Sequence, residues 1–350
     1  MNESNIENPS PRERPVKESR ELLPLSVQGR ILWCSISGTE RRSEWFARET
    51  EHMTVWFLDA WHLESARRRS PTGANERLMC SADLPEEQFD VIVLPVSFQG
   101  EAELVRELIQ QSRLRLAPSG QLWASVDNPH DDWLHKQLAE YFRPIQKFAF
   151  PEKVIYRATP HGPVRKLRSF RCEFPFRDNE NLLWVVTRPG VFAHRRVDAG
   201  ARRLMEAMAI EPGMRILEIG SGSGAVSLAA AARQPTAEVT AVDSVPRAVE
   251  CLQEAARRNA LDNISAHVFP GNDYRALGSF DLVLTNPPYY GRHEIAERFV
   301  AGAAEALVPG GELLLVAKNP SWYLENLQRW YRRFEAQPVR GGYWIVRATR

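Results

Sequence analysis

Neither sign of charge predominates in this 350-residue chain: 45 Lys and Arg stand against 44 Asp and Glu, so bulk electrostatics announces no polyanionic partner. Cysteine is sparse. Cys34, Cys80, Cys172 and Cys251 are scattered, with no C-x-x-C pair, which implies neither a disulfide framework nor a zinc site. His130 and His135 stand five apart and do not share a helix face as a metal pair would, so no metal is expected. No stretch approaches the roughly 18 apolar residues of a membrane span, and the amino terminus is charged and proline-bearing, unlike a signal peptide. A cytoplasmic protein is expected by elimination. With 43% hydrophobic and 25% charged residues the composition is that of a soluble globular protein, long enough for two cores. Residues 1–27, of mixed charge, are expected to form a disordered tail.

Two motifs carry chemistry. An apolar run from Asp281 to Thr285 leads directly into Asn286-Pro287-Pro288-Tyr289. An exocyclic amino nitrogen conjugated to a base or an amide is a poor nucleophile, because its lone pair is delocalised. The Asn side-chain carbonyl and the backbone carbonyl of Pro287 can each accept one of its hydrogens, while the aromatic ring of Tyr289 stacks on the target plane. Asn-Pro and Pro-Pro also occur in ordinary turns, so the neighbourhood decides. About 60 residues upstream, Arg215-Ile-Leu-Glu-Ile-Gly-Ser-Gly-Ser-Gly224 reads as a buried strand meeting a glycine-rich turn that opens a helix. A second strand, Glu238 to Val242, ends in Asp243, 19 residues after Gly224 and placed to bind ribose hydroxyls. Gly220, Gly222, Gly224 and Asp243 would also suit a dinucleotide. Glu218 discriminates: an acid there would repel a pyrophosphate but favours the cationic amino acid end of S-adenosylmethionine.

With these motifs, residues from about 190 to 350 resemble the class I S-adenosylmethionine-dependent methyltransferases, in the small-domain branch that modifies guanine N2 in ribosomal RNA. Pro189-Gly-Val-Phe192, Asp198 and Gly200 ahead of the glycine loop, His293 after the NPPY, and Val316-Ala-Lys-Asn-Pro-Ser-Trp-Tyr323 share in the resemblance. Tyr289 stands where the family usually has Phe, and the segment after His293 departs from the family's usual sequence. The resemblance implies S-adenosylmethionine as cofactor and ribosomal RNA or a ribosomal subunit as partner.

The first half is a worn copy of the second. Phe89 to Gly100 matches Phe280 to Gly291 without a gap at an offset of 191, and the same offset pairs Leu116 to Leu122 with Leu307 to Leu313. In the first copy Trp33 stands in the place of Glu218, Gly38 is a lone surviving glycine, and Pro95, Val96 and Ser97 replace Asn286, Pro287 and Pro288. Asp59, after the strand Thr54 to Leu58, reads as a leftover. Residues 28–160 are therefore expected to be a degenerate methyltransferase-like domain that packs and holds substrate, and 161–350 the catalytic domain. The chain would be a monomer with an internal pseudo-dimer. The connecting segment 161–200 carries eight basic against four acidic residues and is expected to line an RNA route.

The fold expected is α/β, two tandem Rossmann-like class I methyltransferase folds, the second with strands at 215–219, 238–242, 265–269, 280–285, 312–316, 334–338 and 342–348. Its helices are expected at 226–233, 246–259, 294–306 and 323–331. The glycine loop, Asp243, Asn272-Asp273 and Asn286 then fall at the carboxyl ends of strands, with Asn272 or Asp273 on the adenine edge. Three functions compete at this point: guanine-N2 methylation of ribosomal RNA; methylation of adenine N6 or of a protein glutamine amide by the same NPPY chemistry; and a noncatalytic RNA-binding or assembly role.

Overall fold

The computed structural model describes residues 29–40, 45, 53–69, 76–164, 167–288 and 293–350; the tail expected over 1–27 and the ring of Tyr289 lie outside the described residues. The first fold is a seven-stranded sheet of β1 (Ile31–Ser35), β2 (Met53–Phe57), β3 (Glu76–Cys80), β4 (Phe89–Val96), β5 (Leu116–Val126), β6 (Phe142–Ala149) and β7 (Val154–Pro160). Its order is β3-β2-β1-β4-β5-β7-β6, parallel from β3 to β5 and closed by antiparallel β7 and β6. A hairpin, β8 (Cys172–Asp178) and β9 (Asn181–Thr187), follows. The second fold has β10 (Arg215–Ile219), β11 (Glu238–Asp243), β12 (Ile264–Val268), β13 (Phe280–Thr285), β14 (Leu307–Ala317), β15 (Arg333–Val339) and β16 (Tyr343–Thr349). Their order, β12-β11-β10-β13-β14-β16-β15, repeats the first strand for strand.

The repeat extends to register. Val93 lies opposite Trp123 as Leu284 lies opposite Leu314, each residue 191 from its counterpart. Helix α2 (Ala102–Arg115), which follows the ten-residue helix α1 (Ala60–Arg69) and precedes α3 (Trp133–Leu138), occupies the place of α7 (Glu294–Ala306). Trp33 pairs with Val93 as Glu218 pairs with Leu284, so the tryptophan does stand in the acid's place. The same frame corrects the reading of Asp59. Trp33 lies opposite Val55 and Glu218 opposite Ala241, which puts Phe57, and not Asp59, at the position of Asp243. Asp59 lies beyond the strand, where its Oδ1 accepts the N–H of Trp61 at 2.8 Å at the start of α1.

Apolar strands form the sheet centres because helices cover both faces. All of β1 is buried, as are Ile216 to Ile219 of β10. Helix α5 (Ala225–Arg233) buries every residue from Ala225 to Ala231, its small side chains letting it lie close to the sheet. Helix α6 (Pro246–Arg258) starts with proline in its first turn, where the missing N–H costs nothing. The hairpin and α4 (Ala199–Ala207) were not read from the sequence; Phe176, Leu183, Val185 and Val186 join the second fold's core together with Leu204 and Met205. The last helix, α8 (Ser321–Asn326), is shorter than the expected 323–331, continuing as a 3-10 turn over Leu327–Arg329.

The folds are locked by charge. Arg247, fully buried on α6, donates to Ala82 O at 2.5 Å, Glu107 Oε2 at 2.6 Å and Pro189 O at 2.7 Å. Arg188 pairs with Asp83 and Glu107, and Arg195 with Glu103 at 2.8 Å. Arg188 and Arg195 of the connecting segment thus face acids of the first fold, which take up two of the segment's eight basic residues.

Candidate active site

The carboxyl ends of β10 and β13, where the order of strands turns, open into a cleft of about 310 Å³. Chemistry here starts from the glycine loop after β10. Gly220 N and Ser221 N both donate to Val242 O, at 2.9 and 3.0 Å; Gly222 N donates to Asp243 Oδ2 at 2.8 Å; Gly224 N donates to Ser221 O at 2.8 Å. A pyrophosphate site requires such N–H groups to point at the ligand. Here they are engaged within the protein, and an acid lies behind them, an arrangement for a cationic ligand. Gly222, at φ +50°, would bring a Cβ within 3.3 Å of the cleft residue Phe192, and Gly224, at φ +77°, within 2.6 Å of the core residue Leu252, so a side chain at the first would crowd the cradle and one at the second would collide with the core behind it.

Glu218 is buried, only 4% exposed, and accepts a hydrogen bond from Ser227 Oγ on α5. Burial pushes its carboxyl up to about 8, against the lowering effect of Ser227, and nearby Asp243 adds to the rise. Asp243 lies half-open on the cleft wall, accepting Gly222 N and Val245 N, the latter at 2.9 Å. Burial of its inner side raises it to about 6, with Asp59 contributing. A cation bound in the cleft would favour the ionised form of both acids, with the larger change at Glu218.

Across the cleft, Thr285 Oγ1 donates to Ile219 O at 2.9 Å, tying the ends of β13 and β10 together immediately before Asn286. The Asn286 Nδ2 donates to Asp198 Oδ2 at 2.9 Å, and the same carboxylate oxygen caps α4 by accepting Ala201 N at 3.1 Å. Asp198 thus holds the amino end of the amide, and the carbonyl end is the one turned away from it. Asn286 and Pro288 line the cleft and Pro287 is buried at its edge; Tyr289 lies outside the described residues.

The structure brings Gly220, Gly222, Asp243 and Asn286 to one cleft, with Glu218 and Gly224 directly behind its loop. It does not bring Asn272 or Asp273 there. Both are exposed, and Asp273 pairs with Arg275 at 3.0 Å; this part of the wall is built by Phe269, Pro270, Gly271 and Tyr274. The turn is reversed from the expected sense because Tyr274 tucks inward, 2% exposed, against Phe269. Sequence reasoning also missed the roles of Asp198 and Ser227, whose spacing to Asn286 and Glu218 carries no signature, and of Asp59 and Trp61, which line the cleft from the first fold.

Among the described residues, the first fold's own counterpart of this cleft is filled. Trp33 is buried edge-on against Trp45, with ring centroids 5.9 Å apart. Glu40 folds over the residual loop, accepting Ile36 N, Ser37 N and the hydroxyls of Ser35 and Ser37, and the His62 ring lies where a Cβ on Gly38 would sit. Glu101, Glu103 and His194 gather within metal-binding distance of one another, but Glu103 is held by Arg195 and His194, and Glu101 by Gly190 N. No helix among the described residues is long and apolar enough to cross a membrane.

Comparison with known proteins places these features in a family. The methyltransferase small domain family matches residues 182–347. The ribosomal RNA small subunit methyltransferase C of Pseudomonas aeruginosa (strain UCBPP-PA14) is 30% identical over 296 residues, covering 81% of each chain. The ribosomal RNA large subunit methyltransferase G of Streptomyces avermitilis is 27% identical over 303 residues, covering 82% of this chain and 78% of the relative. Among solved structures, a T. thermophilus 16S rRNA guanine-N2 methyltransferase in complex with AdoMet and guanosine superposes with a TM-score of 0.76 at 21% identity, over 95% of this chain and 93% of the other. That likeness spans both folds and supports the duplicated architecture.

Proposed function

Because the chain belongs to the ribosomal RNA small subunit methyltransferase C family, we propose that it transfers a methyl group from S-adenosylmethionine to the exocyclic N2 of a guanine in ribosomal RNA. The observation that carries this reading is the Asn286 amide, held at one end by Asp198 on the wall of a cleft whose facing loop is built for a cation. The glycine loop, Asp243 and, through the loop, Glu218 hold the cofactor. When bound, it supplies an electrophilic methyl group on a sulfonium.

The protein's own part is orientation. The Asn286 carbonyl and the Pro287 backbone carbonyl accept the two hydrogens of the amino group, pulling the nitrogen toward tetrahedral geometry and aiming its lone pair along the transfer line. No general base is required, since the methylated nitrogen is acidic enough to release its proton to water. The base reaches the cleft unpaired or flipped out of its stack, with the Tyr289 ring as platform. The first fold, whose counterpart cleft is filled, performs no chemistry of its own. In this reading the protein is a cytoplasmic monomer with an internal pseudo-dimer, and its partner is a ribosomal subunit.

Adenine N6 or a glutamine amide would satisfy the same acceptors; the named relatives favour ribosomal RNA. The test uses small and large ribosomal subunits from a strain lacking the gene, incubated with purified protein and radiolabelled S-adenosylmethionine. N2-methylguanosine in small-subunit RNA is expected. Label in the large subunit alone would shift the target to the second relative's class, while N6-methyladenosine or labelled protein would refute the guanine assignment.

A further inference from the structure

The two folds meet with their acid corners together. Asp59 and Asp243 each precede a helix, and the residues after them are directly bonded, Ala60 N donating to Ser244 O at 2.9 Å across the domain boundary. Trp61 follows, half-buried, and projects into the second fold's cleft. Its ring is covered by the Arg298 guanidinium of α7, with the central carbon 3.5 Å from the ring centroid, and Arg68 of its own helix lies 5.2 Å away. From there the wall closes on itself. Arg298 lines the cleft together with Tyr274, whose ring is 5.3 Å from that of Phe269; Phe269 N donates to Asp243 O at 2.9 Å, and Ser244 leads back to Ala60. One end of the cleft is therefore a continuous collar of aromatic and cationic groups, completed only by a residue of the first fold. Asn286 and the glycine loop form the other walls.

We infer that Trp61 is a cofactor-binding residue: its ring, braced by Arg298, forms the wall for the adenine of S-adenosylmethionine at the Asp243 end of the cleft. The inference rests on the proposed cofactor site. A flat apolar ring held rigid by a cation on its face suits a purine, and a wall beside the ribose-binding acid meets the base attached to that ribose. The first fold then has a duty that its own filled site does not disclose. It cannot bind a cofactor, yet the second fold's site is incomplete without it.

Hydroxyl-radical footprinting of the full-length protein, read by mass spectrometry, tests the contact without substitution. Saturating S-adenosylhomocysteine should protect Trp61 by at least about threefold. Trp184, which also carries an arginine on its ring but lies outside the cleft, should not change. Calorimetry on Trp61→Ala should show affinity for S-adenosylhomocysteine reduced about tenfold, the scale of one lost stacking partner, with Trp61→Phe recovering most of it. In turnover the KM for S-adenosylmethionine should rise while kcat and the KM for ribosomal RNA stay near wild type, a split that simple loosening of the fold would not give. Unchanged oxidation of Trp61 on ligand saturation, or wild-type affinity in a folded Trp61→Ala, would overturn the inference. If Trp61→Ala does not fold, footprinting of the wild-type protein decides alone. Failure of the wild-type protein to bind S-adenosylhomocysteine would instead remove the cofactor reading on which the inference stands.

Discussion

Asp198 gives the sharpest test of the proposed chemistry, because one carboxylate oxygen does two separable jobs: it caps α4 through Ala201 N and holds Asn286 Nδ2. In Asp198→Ala the lost cap should cost about 1 kcal/mol of stability. The hydrogen bond to Asn286 is charge-assisted, and such bonds contribute about 1.5–3 kcal/mol. If all of it serves to keep the amide carbonyl aimed at the target, the rate of methyl transfer falls by about 10- to 150-fold, at 1.36 kcal/mol per factor of ten. Asn286→Ala removes the acceptor itself and should cost at least about a hundredfold, with cofactor affinity much less affected. The double variant separates a serial from a parallel role. Acting through Asn286, Asp198 adds less than about threefold once the amide is gone, whereas independent contributions would multiply. The assay is single-turnover transfer of radiolabelled methyl to undermethylated ribosomal subunits, with denaturant melts run alongside to account for stability. A near-wild-type rate in Asp198→Ala, or multiplicative losses in the double variant, would refute the assignment.

Other consequences follow from the same cleft and interface. Calorimetry with S-adenosylhomocysteine should give one site per chain, abolished by Gly222→Asp, since the new side chain meets Phe192 from a left-handed backbone and brings an unpaired charge; two sites, or tight NAD binding, would contradict the site assignment. Glu218, raised to about 8, and Asp243, raised to about 6, bind protons in the folded state that the unfolded chain has already released, so the ligand-free protein should lose stability as pH climbs from about 4 to 8. A bound cation favours their ionised forms, so affinity should rise from pH 6 to 8 with proton release, visible as a buffer-dependent binding enthalpy, and Glu218→Gln should flatten the profile. Arg247→Met leaves Glu107 Oε2 and two buried carbonyls without their donor, Glu107 keeping only Arg188, and should lower stability by about 1–3 kcal/mol, detectable in urea melts; an unchanged midpoint would mean that the latch contributes nothing.

The parts of the structure legible in the sequence were those with local periodicity or a fixed offset. Strands 215–219 and 280–285 and the helix 294–306 fall where expected, and the 191-residue offset anticipated identical sheet order and register. The hairpin over Cys172–Thr187 was hidden because the whole segment 161–200 was read by its net charge as a connector, whereas alternate positions of the hairpin feed the second fold's core. Asn272 and Asp273 misled for a related reason. A polar turn after a strand looks like a ligand contact, but the inward residue is Tyr274, whose ring reaches the core cluster around α7. Asp198 was visible as a residue and invisible as a partner of Asn286, since 88 positions of chain separate them and only the fold brings them together.

The first fold's degeneracy looks different once its contacts are followed. Trp33 in place of an acid, Glu40 over the old loop and His62 against Gly38 fill a cleft that would otherwise be an unsatisfied void. Other acids of the first fold are turned toward the second: Glu101 just before α2 and Glu103 and Glu107 on it meet Gly190, Arg195 and Arg247, and the corner after Asp59 meets Ser244. Removing residues 1–160 would strip Arg247 of two of its three acceptors and leave a charged side chain unpaired at the newly exposed face. It would also open the collar at Trp61. Reduced RNA methylation by such a truncation could therefore not be assigned to lost RNA binding alone. Point variants in an intact chain are required: Trp61 substitutions for the cofactor and exposed Arg67 and Arg69 substitutions for RNA. If the latter raise the KM for ribosomal RNA without changing cofactor affinity, the first fold serves both ligands through different faces of one short helix.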